Sequence, residues 1–282
     1  MSKIADQAEI FSLTVLGARG SMPGEGRKCA RYGGATSCYL VKAGREEIYL
    51  DAGSGIAGVK SAPEASVSLL ITHMHLDHLV GLPFFAALGN KNRSLEIYAG
   101  YHQGLSPKEA IDRLISPPFW PCFIDDYPAK VKFQTLVTAK EINEFAIGEV
   151  SVKFMEGAHP NGCTLFRLSY RGKSLVYATD FEHSPEDSAR LANFAQGADL
   201  LLYDAQYTAA EYEKYRGYGH STPEEGIEVA KAAAVQKLLL VHHAPWRTDE
   251  DLDALEAVFA GQYQEVSFAK IGEEIILGEG EN

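Results

Sequence analysis

Between Ile71 and Gly81 the chain reads ITHMHLDHLVG. His73, His75, Asp77 and His78 fall within six residues, directly after the apolar run VSLLI. Imidazole nitrogens and carboxylate oxygens bind zinc, manganese and iron, so this crowding suggests a metal site. On an extended segment His73 and His75 point the same way, because strand side chains repeat every second residue. If the chain turns into a helix at Asp77, that residue and His78 project from the turn itself. Two histidines can then grip one ion while Asp77 and His78 reach a second. The bland alternative is a polar turn that binds nothing.

A cluster this short does not complete two metal shells, so further ligands must come from other strand ends. Candidates follow apolar runs: His159 in EGAHPNG, Asp180 in VYATDFEH, and His242 or His243 in LLLVHHAPW. The remaining histidines include His102, His183 and His220. A lone histidine at a strand end is usually structural. Here several such ends carry His or Asp, and their agreement favours a metal centre.

The elements that must position these residues are strand-rich. FSLTVLG, TSCYLVKAG and EEIYLDAG are β-like runs that end at glycine. VSLLIT suits a strand buried on both faces. LVGLPFFAAL from Leu79 suits a short helix, LEIYAG a strand and PKEAIDRLI a helix. VKFQTLV, VSVKFMEG, CTLFRLSY, KSLVYATD, DLLLYDAQ and KLLLVHHA read as strands. Helical stretches are expected around 208–214 and 222–235. Thr222-Pro223-Glu224-Glu225 supplies a cap, a first-turn proline and a third-position acid. A helix over Asp249–Phe259 and a strand in IGEEIILG close the chain. Residues 117–128, PPFWPCFIDDYP, hold four prolines and four aromatics. They read either as a loop or lid with exposed rings, or as a connection whose rings plug the core. Two packed sheets with helices outside account for the whole, read as α/β (α+β) and as one domain over residues 1–282.

The chain has 282 residues, 46% apolar and 23% charged, and a formal net charge of −12. That surface repels polyanions, and no run of Lys and Arg tracks a phosphate backbone. Extended nucleic acid is therefore disfavoured as a ligand. The N-terminus, MSKIADQAEIFSL, lacks the apolar core of a signal peptide, and no segment has the length to cross a bilayer. Cys29, Cys38, Cys122 and Cys163 form no CxxC, and they read as free thiols in a cytoplasmic protein.

With these residues in view, the chain resembles the metallo-β-lactamase superfamily of binuclear metal hydrolases. Within it, the ribonuclease Z and cyclic-nucleotide phosphodiesterase branch is the most similar. The likeness runs nearly end to end, through LGARGSMPGEGRKCARYGGATSCYLV, IYLDAGSGI, THMHLDHLVGLPFF, GAHP, YATDF, DAQY, GHST and LLLVHHAPWRTD. It implies a four-layer αββα sandwich with two divalent metals at one edge, zinc first and manganese or iron as alternatives. One metal would take His73, His75 and His159. The other would take Asp77, His78 and His242, with His243 as the competing choice. Asp180 would bridge both, and Asp51 would orient the signature loop. The implied catalytic set is Asp77, His220 and Asp204, with His220 as the acid for the leaving group and Asp204 fixing its tautomer.

Two cations about 3.5–4 Å apart can hold a shared water and lower its pKa towards neutrality. Ser221 and Thr222 at a helix N-terminus are a candidate seat for a substrate phosphate, and Arg19 and Arg247 are candidate phosphate partners whose commoner reading is a plain surface arginine. The resemblance favours phosphodiesters, because many lactamases have Cys where Asp180 stands. The acidic balance and the lack of a basic arm disfavour tRNA. The expected substrate is thus a small phosphodiester such as a cyclic nucleotide, whose base can stack on aromatic rings. The alternatives are an ester, lactone or lactam hydrolase, a tRNA 3′-processing nuclease, and a non-catalytic binding relative. No membrane partner is expected, and a homodimer is the expected assembly.

Overall fold

The structure is a computed structural model that describes residues 10–59 and 66–278. Residues 1–9, which carry most of the export-signal reading, lie outside the described residues. The chain first lays down β1 (Phe11–Gly17), β2 (Cys38–Ala43), β3 (Glu46–Leu50), β4 (Val67–Leu70) and β5 (Ser94–Gly100). Helix α1 (Pro107–Leu114) and β6 (Lys130–Leu136) follow. The second half runs through β7 (Asn143–Ile147), β8 (Val150–Gly157), β9 (Cys163–Tyr170), β10 (Lys173–Ala178), α2 (Pro185–Phe194) and β11 (Leu200–Asp204). It continues through α3 (Ala209–Tyr215), α4 (Pro223–Ala232), β12 (Lys237–Val241), α5 (Asp249–Phe259) and β13 (Val266–Phe268). The last strand, β14 (Glu274–Gly278), returns to pair with β1.

Two seven-stranded sheets result, in the orders β14-β1-β2-β3-β4-β5-β6 and β13-β12-β11-β10-β9-β8-β7. In each, antiparallel hairpins give way to parallel strands, at β3/β4 in one sheet and β10/β11 in the other. Strand period explains the layering. In β11, Leu200 and Leu202 face the core between the sheets, while Leu201 and Tyr203 face the helices. β12 does the same with Leu239 and Val241 inward and Leu238 and Leu240 outward. The outer face of the first sheet is covered by Ile111 and Ile115 of the α1 region and by Leu79, Leu82 and Leu88. The architecture is the expected αββα sandwich of two mixed sheets flanked by helices. Among the described residues, no helix is long and apolar enough to cross a membrane.

Several local expectations need correction. The segment from Leu79 forms two 3-10 turns, Leu82–Phe84 and Ala86–Gly89, instead of a helix. Pro83 removes an amide donor, so the chain does not sustain α-helical bonds there. The expected helix at Asp77 is a single 3-10 turn, Leu76–His78. The 117–128 segment does both of the things proposed for it. Phe119 and Phe123 are exposed, while the rings of Trp120 and Tyr127 pack against the apolar cluster on the outer face of the first sheet. α2, β7 and β13 have no counterpart in the sequence reading.

Candidate metal centre

The C-terminal ends of β3, β4, β8, β10, β11 and β12 converge at one rim of the sandwich. β4 delivers the loop holding His73, His75, Asp77 and His78. β8 leads to His159, β10 to Asp180, β11 ends on Asp204, and β12 leads to His242. Asp51, Asp180 and His242 each follow a strand with positive φ, at 58°, 52° and 61°. Left-handed backbone is uncommon outside glycine and costs about 1–3 kcal/mol per residue. Three such residues at three strand ends turn their side chains into one crevice.

All seven residues expected to bind metal are brought together. Asp180 sits at the middle. Its Oδ1 lies 3.7 Å from both His73 Nε2 and His159 Nε2. Its Oδ2 lies 3.1 Å from His78 Nε2 and 3.3 Å from His242 Nε2. Asp77 Oδ2 is 3.2 Å from His242 Nε2 and 3.3 Å from His78 Nε2. His75 Nδ1 stands 3.2 Å from His159 Nε2. Ligand atoms of His73, His75, His159 and Asp180 thus form one group within 4.8 Å, and those of Asp77, His78 and His242 another.

The outer partners fix the tautomers. Thr72 Oγ1 donates its one proton to Asp51, so it accepts from His73 Nδ1–H at 3.1 Å and leaves Nε2 as a lone pair. His78 Nδ1–H donates to Asp51 Oδ2 at 2.7 Å, and the Tyr177 hydroxyl donates to the same oxygen at 2.8 Å. His159 Nδ1–H donates to Gly219 O at 2.8 Å. Ring nitrogens aimed inward at carboxylates, with their outer N–H groups tied to oxygen acceptors, are arranged as metal ligands are.

The fit to cations rests on atoms that protein groups leave unsatisfied. His73 Nε2 and His78 Nε2, which face the ligand groups, are buried without a hydrogen-bond partner. A buried polar atom left unpaired costs about 1–3 kcal/mol. Electrostatics point the same way. Burial, then the neighbouring imidazoles, hold the His73 ring well below its ordinary pKa, so it is neutral and ready to ligate. Burial opposes charge on His242, yet Asp180, Asp77 and Asp204 raise its pKa to about 9. His78 is raised for similar reasons by Asp180, Asp77 and Asp51. The carboxylates demand positive charge at this spot, and the residues present fit divalent cations.

His220 stands beside the centre. Its Nδ1–H donates to Asp204 Oδ2 at 2.8 Å, and its ring stacks on His242 at 4.8 Å. His243 points elsewhere, with Nε2 on Ala269 O at 2.9 Å and its ring edge against Tyr32. The candidate phosphate partners are engaged within the protein. Arg19 is fully buried and donates to the carbonyls of Gly33, Ala244 and Arg247, while Arg247 pairs with Glu211. The Ser221 amide is bound to Asp204, and Thr222 caps α4 through Glu225 N. The four cysteines are free thiols, as expected.

Two further sets of residues lie beside the centre. A cavity of about 200 Å³ beside His73 and His75 is also lined by His102 and Asn161. Tyr207, whose ring lies 5.7 Å from His220, is flanked by Tyr215 and the half-exposed Trp246. The aromatic residues over 203–218 read from sequence as a pocket wall or a dimer contact, whereas the positions of His102, Asn161 and Trp246 emerge only from three-dimensional placement, because no spacing links them to the signature loop.

The chain is similar to known proteins along most of its length. The protein Rv1339 of Mycobacterium tuberculosis is 27% identical over 254 residues, 85% of this chain and 83% of that protein. Ribonuclease Z of Thermococcus sibiricus is 27% identical over 296 residues, 84% of this chain and 87% of that protein. The human tRNase Z short form has the same fold at a TM-score of 0.70 and 21% identity, covering 95% of this chain and 99% of the other. A diphosphatase of the PhnP family matches at a TM-score of 0.68 and 16% identity, covering 95% and 98%. A family model, the beta-lactamase superfamily domain, matches residues 47–243. The αββα sandwich and the convergence of strand ends thus accompany that match, and the chain belongs to the beta-lactamase superfamily.

Proposed function

We propose that this protein is a metal-dependent phosphodiesterase that hydrolyses a small phosphodiester, with a cyclic nucleotide as the leading substrate. The observation that carries this reading is the placement of Asp180. One carboxylate oxygen faces His73 and His159, the other faces His78 and His242, and the Nε2 atoms of His73 and His78 lack hydrogen-bond partners. His73, His75 and His159 would hold one cation, Asp77, His78 and His242 the other, with Asp180 between. When bound, the two cations supply an activated water and polarise the phosphoryl oxygens. Relatives named ribonuclease Z and PhnP-family diphosphatase support chemistry at phosphorus.

The chain's own residues supply the rest. Asp204 accepts from His220 Nδ1–H and fixes the ring so that Nε2 is the atom left for proton delivery. A protonated His220 gives that proton to the leaving alkoxide as the P–O bond breaks. The rings of Tyr207, Tyr215 and Trp246 beside His220 offer a surface for a nucleobase. A net charge of −12 favours a small substrate over tRNA.

The test is a substrate panel with manganese or zinc: bis(p-nitrophenyl) phosphate, cyclic nucleotides, esters and lactones, and a precursor tRNA. Chelator-sensitive turnover of cyclic nucleotides is the expected result. Ester turnover without phosphodiester turnover, or cleavage of tRNA alone, defeats the proposal.

A further inference from the structure

Glu182 lies two residues past Asp180 and belongs to neither ligand group. Its half-buried side chain accepts three hydrogen bonds. Oε1 takes the Tyr212 hydroxyl at 3.0 Å and Gly217 N at 2.6 Å, and Oε2 takes Gly219 N at 2.8 Å. Its own amide donates to Ala158 O at 2.7 Å. One residue therefore ties together the strand end before His159, the loop after β10, and the 217–219 loop.

That last loop is where the tie matters. Gly219 O is the acceptor for His159 Nδ1–H, and the following residue is His220. Gly217 and Gly219 have φ of 88° and 90°, and Tyr218 between them is 62% exposed. Glycine adopts such angles freely and so restrains the chain little. A Cβ on Gly219 would lie 2.2 Å from His159 Nδ1, so loop and ring are in direct contact. The Glu182 carboxylate supplies the restraint that the two glycines do not.

The geometry points to Glu182 as a positioning residue for His159, an inference that rests on the reading of His159 as a metal ligand. By clamping the amides of Gly217 and Gly219, it keeps Gly219 O on His159 Nδ1–H. The ring is then held as the Nδ1–H tautomer, with the Nε2 lone pair aimed at His75 and Asp180. A carboxylate suits this task because both of its oxygens accept. A glutamine of the same size turns one arm into an NH₂ that faces an amide N–H. Loss of a partner behind a ligand typically weakens metal binding by about 10–100-fold.

The experiment compares wild type, Glu182→Gln and Tyr212→Phe. Tyr212→Phe removes one of the three bonds and leaves both glycine amides held. Nitrogen-15 spectra of chelated protein labelled at histidine report the tautomer of His159. Stepwise calorimetric titration with manganese or zinc reports each metal step. In Glu182→Gln the Nδ1–H signature of His159 should give way to a mixture. One binding step should weaken by roughly 10–100-fold while the other is unchanged. Tyr212→Phe should keep the Nδ1–H signature of His159 and weaken metal binding by less than Glu182→Gln does. A Glu182→Gln protein with wild-type tautomer and both steps unaltered overturns the inference. Equal weakening of both steps with a lowered melting temperature also overturns it, since that marks a general structural role. If wild type takes up no metal, the proposed function fails by itself, and the tautomer spectrum still decides the role of Glu182.

Discussion

At the scale of single residues, Asp51 shows how much of the centre depends on groups that would touch no metal. Its carboxylate accepts from Thr72 N, Thr72 Oγ1, His78 Nδ1 and Tyr177 Oη, all within 3.1 Å. Asp51→Asn replaces one acceptor oxygen by a donor facing donors, so His78 loses its orientation. Metal affinity should fall by about 10–100-fold, measured by calorimetric titration. An unchanged affinity would reduce Asp51 to a turn residue. His220→Ala should lower kcat by about 10²–10⁴-fold with two metals still bound, as the loss of a general acid does. Metal loss on that substitution would make His220 a ligand instead. His243 sets a pH dependence of stability. Burial lowers its pKa from the ordinary 6.5 to about 3. Between those values the unfolded chain binds a proton that the folded one refuses, so stability rises with pH. Thermal melts of the chelated protein should therefore worsen as pH falls from about 6.5 towards 3, and His243→Gln should flatten part of that slope. The signature histidines were legible because they lie within six residues of one another. The choice between His242 and His243 was not fixed by strand pattern, since the left-handed φ of 61° at His242 breaks the alternation that pattern assumes.

At the scale of elements, caps and first-turn prolines were the most readable features. Thr222 accepts from Glu225 N and Pro223 opens α4, as the sequence TPEE implies. Ser184-Pro185-Glu186-Asp187 carries the same signal and starts α2, with Ser184 accepting from Asp187 N. That helix was therefore legible and overlooked. β13 has three residues and β7 is mostly exposed, so neither offers the apolar run that marks a buried strand. Thr222→Ala should cost about 1 kcal/mol, the usual value of a lost N-cap, and lower the melting temperature by a few degrees. α4 begins three residues after His220, so the same variant separates stability from catalysis. A fall in kcat as large as that of His220→Ala would show that the cap also holds the acid in place.

At the scale of the molecule, the two sheets repeat one plan. Asp51 follows β3 and Asp180 follows β10, each at the step from antiparallel to parallel pairing and each with positive φ. This duplication was not visible in the sequence, because burial and pairing, not residue identity, are what the halves share. It has an energetic consequence. The loop from His73 to His78 belongs to the first sheet, whereas His159, Asp180 and His242 belong to the second. Cations held between these groups would join the sheets across the rim, adding to the apolar core that joins them below. Without cations, Asp51, Asp77, Asp180 and Asp204 are buried close to one another and must be balanced by protonated imidazole. Binding to the folded state alone stabilises it by RT ln(1 + [L]/Kd), about 2.7 kcal/mol per site at a hundredfold excess over Kd. Chelation should therefore lower the melting temperature, and restored manganese or zinc should raise it in proportion to the logarithm of metal concentration. Asp180→Ala should remove most of that response by depriving both ligand groups of their shared carboxylate. A melt indifferent to chelation and to added metal would contradict a cation link between the sheets, whatever activity the protein displays.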